Sequence, residues 1–80
     1  MIYNEFETLL DRDLNIDKSL LPKKLLEMSE QLEAYDQAGD WAHYAMLCED
    51  FEITVKYSYM NKKISGKMFE LLNKKYCGYE

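Results

Sequence analysis

The chain has 80 residues, of which 48% are hydrophobic and 14% aromatic, with three Gly and one Pro. This length predicts one domain, residues 1–80, and the composition is typical of a folded chain rather than a disordered one. The N-terminus lacks the basic and apolar segments of a signal peptide, and no run approaches the roughly 20 apolar residues of a membrane span. We therefore expect a cytoplasmic protein with no membrane partner.

The net charge of −5 is unevenly distributed. Residues 1–52 contain 13 acidic and four basic side chains, a balance of −9, whereas residues 53–80 contain two and six, a balance of +4. The two Cys are 29 residues apart, outside any CxxC motif or Cys/His cluster, so neither a disulfide scaffold nor a zinc site is indicated. We expect reduced thiols and no metal or cofactor.

The first residues predict a short N-terminal helix that covers one end of the fold. Asn4 and Glu7 have the spacing of a capping box. The apolar side chains of this helix are Ile2, Phe6, Leu9 and Leu10.

The segment DRDLNID that follows has the alternating oxygen-bearing side chains that begin a calcium-binding loop. These side chains are Asp11, Asp13, Asn15 and Asp17. The pattern then fails, because Ile16 stands where the loop needs glycine and Pro22 where it needs a bidentate Glu. A polar connection before the next helix is the favoured interpretation.

A first long helix is predicted from residue 21, with Pro22 in its first turn and Ser19 as its cap. Its apolar stripe repeats at intervals of four and three residues, at Leu21, Leu25, Met28, Leu32 and Tyr35. An acidic series falls mainly on the opposite side and is predicted to be solvated, at Glu27, Glu30, Glu33 and Asp36.

Gly39 and Asp40 predict the end of this helix and the start of a second, antiparallel one. The second apolar stripe has the same rhythm, at Trp41, Tyr44, Cys48, Phe51, Val55 and Tyr59. The two stripes are expected to face each other. Residues 51–59 are also rich in β-branched and aromatic side chains, which leaves a local strand as an alternative.

A shorter third helix is predicted after residue 64, with Ser65 as its cap and Gly78 at its end. Its predicted inner side chains are Met68, Leu71, Leu72 and Tyr76. Lys74 and Lys75 are expected to complement the negative end of the helix. The predicted fold is therefore all-α: a small three-helix bundle, formed by an antiparallel hairpin and a shorter C-terminal helix, with a short N-terminal helix.

The segment AGDWAHYAMLCEDFE raises the question of a reactive site. On one helix, His43 and Cys48 point about 140° apart, so they do not form a nucleophile and base pair. His43 is predicted to lie on the solvent side near Asp40, and Cys48 in the core. An enzyme is therefore not expected. Cys48 and Cys77 should lie at similar heights on neighbouring helices, which leaves an oxidised bridge open.

The acidic surplus favours a non-catalytic role in binding a partner protein or in self-association. The candidate contact residues are Glu27, Glu30, Glu33, Asp36, Asp40, Tyr44, Glu49, Asp50 and Glu52. Two alternatives stay open: an inhibitor that imitates nucleic acid, and nucleic-acid binding by the basic, Tyr-rich last third. The side chains of this second alternative are Lys56, Tyr57, Tyr59, Lys62, Lys63, Lys67, Lys74, Lys75, Tyr76 and Tyr79.

The segments GDWAHYAMLCEDFE and NKKISGKMFELLNKKYCG resemble small helical proteins encoded on bacterial mobile elements and prophages. The resemblance covers residues 39–78. It depends on Trp41, Tyr44, Cys48, Glu49, Ile64, Ser65 and Tyr76. It implies an accessory role, such as an anti-CRISPR inhibitor of a host defence nuclease, and it transfers no active site.

Overall fold

A computed structural model describes residues 10–78 of the chain. Three α-helices follow a short 3-10 helix at Lys18–Leu20: α1 is Lys23–Ala38, α2 is Trp41–Met60 and α3 is Gly66–Cys77. Helix α2 packs against both α1 and α3. The predicted all-α three-helix fold is confirmed, and the predicted N-terminal helix lies outside the described residues.

The hairpin between α1 and α2 forms where the sequence predicts it. Gly39 ends α1 in the left-handed conformation, with φ of 71°, and its N–H donates to the carbonyls of Asp36 and Tyr35. The Asp40 side chain then accepts a hydrogen bond from the backbone N–H of His43 and begins α2. Glycine adopts this backbone conformation without the steric cost of a side chain, so the hairpin is encoded locally.

The start of α1 differs from the prediction. Pro22 precedes the first helical residue as the N-cap, and no side chain caps the helix. The hydroxyl of Ser19 instead donates to Asp17, whose carboxylate also accepts from the backbone N–H of Ser19 and caps the 3-10 helix. The prediction that Ser19 caps α1 was therefore wrong, because Ser19 lies within the 3-10 helix and bonds to Asp17, which caps that helix.

Helix α3 has both predicted caps. The side chain of Ser65 accepts a hydrogen bond from the N–H of Met68, and Gly78 ends the helix at φ of 75°. Between α2 and α3, Lys62 adopts a positive φ of 61°. The segment that could have been a strand, residues 51–59, is helical throughout and belongs to α2.

The core lies where the inner faces of the three helices meet. Seven of its hydrophobic side chains are fully buried, at Leu25, Leu32, Tyr44, Phe51, Val55, Leu72 and Tyr76. Trp41 and Tyr59 were predicted to belong to the inner stripe of α2, but they are 40% and 45% exposed. They occupy the two ends of the stripe, and Ser58 is the buried residue in the last turns of the helix.

The segment before α1 is fastened to α3 by Lys75. Its ammonium donates to the carbonyl oxygens of Asp11 and Leu14 at 3.1 and 2.6 Å, and the Asp11 N–H donates to the Lys75 carbonyl at 2.7 Å. Lys75 lies in the last turn of α3, where it was predicted to complement the negative end of the helix, and it is buried there. No helix within residues 10–78 is long and apolar enough to cross a membrane.

Candidate functional site

The predicted acidic surface divides into exposed and internally bonded side chains. Glu27 and Glu30 on α1 and Glu49 and Asp50 on α2 are exposed. Glu52 is half-buried near the core. The remaining candidates, discussed below, bond to other parts of the chain. The exposed members therefore form a smaller acidic surface than the sequence predicts.

Asp36 was predicted to be solvated, and the structure buries it. Its side chain is 4% exposed and accepts two hydrogen bonds from the Arg12 guanidinium, at 2.8 and 3.0 Å. This paired geometry stabilises a buried carboxylate because both oxygens bond to a cation. Asp36 consequently fastens the segment before α1 and does not offer its charge to a partner.

Glu33 joins three parts of the fold. Its two carboxylate oxygens accept from the Lys18 ammonium at 2.7 Å and from the Tyr76 hydroxyl at 2.6 Å. Burial acts to raise the pKa of Glu33, but the hydrogen bonds from Lys18 and Tyr76 outweigh it, and the net pKa is lowered. Glu33 is therefore a structural carboxylate, and the prediction of a solvated side chain was wrong here too.

The lowered pKa of Glu33 predicts acid sensitivity. A carboxylate whose pKa is lower in the folded chain adds stability above its ordinary pKa of 4.5 and loses it as the pH falls through the folded value. We expect Glu33→Gln to be less stable than the native chain at neutral pH, by about 1–2 kcal/mol. We expect this difference to shrink below about pH 4.5. Urea unfolding between pH 7 and 3 measures both effects.

The control for this prediction is Glu27→Gln, which removes the same charge from an exposed position on the same helix. Its stability should differ from that of the native chain by less than about 0.5 kcal/mol at every pH. A Glu33→Gln deficit that stays constant down to pH 3 would contradict the assigned role of the Glu33 carboxylate.

Tyr44 was a candidate contact residue, and it is buried. It is 1% exposed, and its hydroxyl donates to the Tyr76 carbonyl at 2.6 Å. Burial raises the pKa of Tyr44, so this hydroxyl keeps its proton and remains a donor at neutral pH. The prediction of Tyr44 as a contact residue was therefore wrong. Tyr44 belongs to the inner stripe of α2, and this position places it in the core.

His43 and Cys48 have different surroundings, as predicted. The His43 side chain is 62% exposed, lies 2.7 Å from the Asp40 carboxylate and stacks on Tyr35. Cys48 is buried and lies 3.3 Å from the Tyr76 carbonyl, to which its thiol donates. The His and the Cys of this segment therefore occupy two different faces of one helix.

The sulfur of Cys48 contacts the sulfur of the second cysteine, Cys77. The Cys48 Sγ lies 2.8 Å from Sγ of Cys77, the last residue of α3, and both residues are buried. One Glu52 carboxylate oxygen and the two sulfurs lie within 4.8 Å of one another. The hydrogen bond between the two sulfurs lowers the pKa of the Cys48 thiol, whereas the same contact and burial raise that of Cys77. We call these three residues the thiol cluster.

The acidic segment with the calcium-like pattern bonds within the chain. The Asp11 side chain accepts from the N–H of Asp13, and Asp17 caps the 3-10 helix. The Lys75 ammonium bonds to the carbonyl oxygens of Asp11 and Leu14. A side-chain cation thus lies among the backbone oxygens of this loop, in keeping with a structural connection.

The basic last third keeps only part of its predicted contact surface. Lys75 and Tyr76 are buried, and Tyr59 stacks on Phe69 with ring centroids 4.8 Å apart. Tyr79 lies outside the described residues. Lys56, Lys62, Lys63, Lys67 and Lys74 are exposed. Two of the aromatic side chains invoked for base stacking are therefore engaged in packing.

The outer side of α2 carries a second apolar stripe that was not predicted. It consists of Met46, Ile53, Tyr57 and Met60, each of which is more than half exposed. At about 100° per residue these four side chains lie within a sector of about 60°, opposite the buried stripe. We call this surface the outer stripe. Its signal in the sequence is a repeat at intervals of seven, four and three residues, offset from the inner stripe.

Charged residues flank the outer stripe with opposite signs at its two ends. Glu49 and Asp50 lie beside the part nearer the start of α2, and Lys56 lies beside the part nearer its end. Glu49 and Lys56 are seven residues apart and so share one flank of the helix. The outer stripe is therefore an apolar band with an acidic half and a basic half.

Comparison of the chain with known protein families, with curated proteins and with solved structures finds no match in any of the three.

Proposed function

We propose that the protein is a non-catalytic interaction module that works as a homodimer, in which the outer stripes of two α2 helices pack antiparallel. The observation that carries this proposal is the outer stripe itself. Four large apolar side chains lie on one side of a helix, each more than half exposed, and such a concentration of exposed apolar surface marks an interaction site.

The spacing of the outer stripe suits a second copy of this chain. Ile53 lies midway between Met46 and Met60, seven residues from each. In an antiparallel pair centred on Ile53, this residue meets its own copy, and each Met46 meets Met60 of the other copy. A two-fold symmetric contact needs a self-complementary surface of this kind.

The flanking charges fit the same arrangement. The two-fold axis keeps each flank of the stripe on one side of the pair, so Glu49 of one copy faces Lys56 of the other. On the opposite flank, Asp50 of one copy faces the hydroxyl of Tyr57 of the other. A parallel arrangement would instead bring Glu49 of one copy beside Asp50 of the other, and like charges at that distance destabilise a pair.

Dimerisation also explains how so small a chain can maintain its structure. A domain of this size buries only about 60–65% of the surface of its unfolded chain. Covering the outer stripe of both copies adds apolar burial that one copy does not supply. The dimer leaves Glu27 and Glu30 on α1 for a partner protein, and we propose a cytoplasmic location for such a module.

The oligomeric state tests the proposal. We expect sedimentation equilibrium to show a dimer in reversible exchange with monomer. Glu49→Lys or Lys56→Glu alone should weaken the dimer about 10-fold, because each change places like charges in two symmetric contacts. The double variant, which exchanges the two charges, should restore native affinity.

The charge exchange separates this arrangement from other forms of self-association. Non-specific association depends on net charge and shows no rescue in the double variant. A native chain that stays monomeric at high micromolar concentration would contradict the proposed function. Single variants that dimerise as well as the native chain would contradict the antiparallel register.

A further inference from the structure

We propose that Cys48 and Cys77 are an oxidation site, at which a hydroperoxide converts two buried thiols into an intramolecular disulfide that ties α2 to the end of α3. The proposal rests on the thiol cluster and is independent of the dimer. Both cysteines belong to one chain, and neither lies on the outer stripe.

The position of the two sulfurs carries the proposal. The Sγ–Sγ distance of 2.8 Å is about 0.8 Å longer than a disulfide bond, so a small movement of two side chains brings them to bonding distance. Cys48 lies near the middle of α2, and Cys77 is the last residue of α3. The end of a helix can make such an adjustment without disturbing the rest of the bundle.

A divalent metal fits the cluster less well. Two sulfurs on one tetrahedral zinc, each bonded at about 2.3 Å, lie about 3.8 Å apart. The observed separation is about 1 Å shorter, so zinc would have to force the helices or side chains apart. The cluster also contributes only three ligand atoms: the two sulfurs and one oxygen of Glu52.

The chemistry needs two thiols and one hydroperoxide. The Cys48 sulfur attacks a peroxide oxygen; the O–O bond breaks, and the leaving oxygen takes the Cys48 proton and departs as water or alcohol. The Cys77 sulfur then attacks the resulting sulfenic acid, the S–S bond forms, and the hydroxyl leaves with the Cys77 proton as water. The two thiols are oxidised by two electrons in total, and the peroxide is reduced by two.

The surroundings of the cluster favour the first step, and the contact between the two sulfurs prepares the second. The contact from Cys77 lowers the pKa of the Cys48 thiol, and the thiolate is the nucleophilic form. Glu52 is half-buried, and one of its carboxylate oxygens lies within 4.8 Å of both sulfurs. Cys77 is the resolving residue, already in contact with its target.

The test treats the reduced chain with one equivalent of hydrogen peroxide and measures its intact mass under denaturing conditions. We expect a monomer lighter by two hydrogens that resists alkylation. Digestion without reduction should yield one linked pair of peptides containing Cys48 and Cys77. The bridge closes a loop of about 30 residues, and it should raise the Tm by about 10–15 °C, an increase that a reductant abolishes.

Two serine variants complete the experiment. Cys48→Ser and Cys77→Ser should each lose the mass change, the peptide link and the rise in Tm. Retention of both alkylatable thiols in the treated native chain would overturn the proposal, as would peptides linked only between two copies. Binding of one zinc equivalent that blocks alkylation of both thiols, with no bridge formed by peroxide, would reassign the cluster as a metal site.

Discussion

We expect Tyr76→Ala to unfold the chain or to leave it only marginally stable. The side chain is fully buried, its ring meets Phe51 edge-on at 5.2 Å, and its hydroxyl donates to Glu33 at 2.6 Å. Removing a buried aromatic side chain costs about 3–5 kcal/mol, and an 80-residue domain has a total stability of about 4–12 kcal/mol. Circular dichroism during urea unfolding should show either no cooperative transition or one shifted to much lower urea.

Tyr76→Phe is the matched control for that experiment. It keeps the ring against Phe51 and removes only the hydroxyl that donates to Glu33, so we expect a loss of about 1–3 kcal/mol and a cooperative transition. Burial raises the pKa of Tyr76, and its hydroxyl therefore donates throughout the neutral range. Native stability in Tyr76→Ala would show that this ring does not form the centre of the core.

Local signals in the sequence predicted the turn between α1 and α2 and both ends of α3. The left-handed Gly39 and Gly78 and the caps at Asp40 and Ser65 all depend on the backbone within a few residues. Such interactions do not require knowledge of distant parts of the chain. The three-four rhythm of the inner stripes predicted the core for a similar reason, since it depends only on the helical repeat.

The errors concern residues whose partners lie far away in the sequence. Asp36 is buried because Arg12, 24 residues earlier, reaches it with two hydrogen bonds. Glu33 meets Tyr76 across 43 residues. Helical periodicity correctly predicts the side of α1 on which Asp36 and Glu33 lie. It does not predict that other segments of the chain cover that side of the helix. The prediction that Ser19 caps α1 was wrong because the Asp17 carboxylate, two residues away, is a nearer hydrogen-bond acceptor for Ser19.

The candidate site was only partly predictable. The heights of Cys48 and Cys77 follow from helix lengths, but the direction of each side chain depends on how α2 and α3 rotate against each other. The outer stripe was missed for a different reason. Helix α2 is apolar on two sides, so the stronger aromatic pattern on its inner side conceals the second repeat, at Met46, Ile53, Tyr57 and Met60.

A helix with two apolar sides has a structural consequence. The inner side of α2 is covered by α1 and α3, which pack against it. The outer side exposes large apolar side chains to water, and such exposure favours association. Because Ile53 is predicted to meet its own copy at the two-fold axis, it is the position at which a single substitution should affect the dimer most.

We expect Ile53→Asp to abolish dimerisation while the fold is kept. One substitution removes two buried Ile side chains and places two carboxylates against each other at the axis, so the loss should be at least about 3–6 kcal/mol, or roughly 100-fold to more than 10,000-fold in Kd. Sedimentation should show only monomer, with an unchanged helical spectrum. Ala34→Asp is the control: it introduces the same charge at an exposed position of α1 and should leave the dimer intact. A stable Ile53→Asp dimer would exclude the outer stripe as the interface.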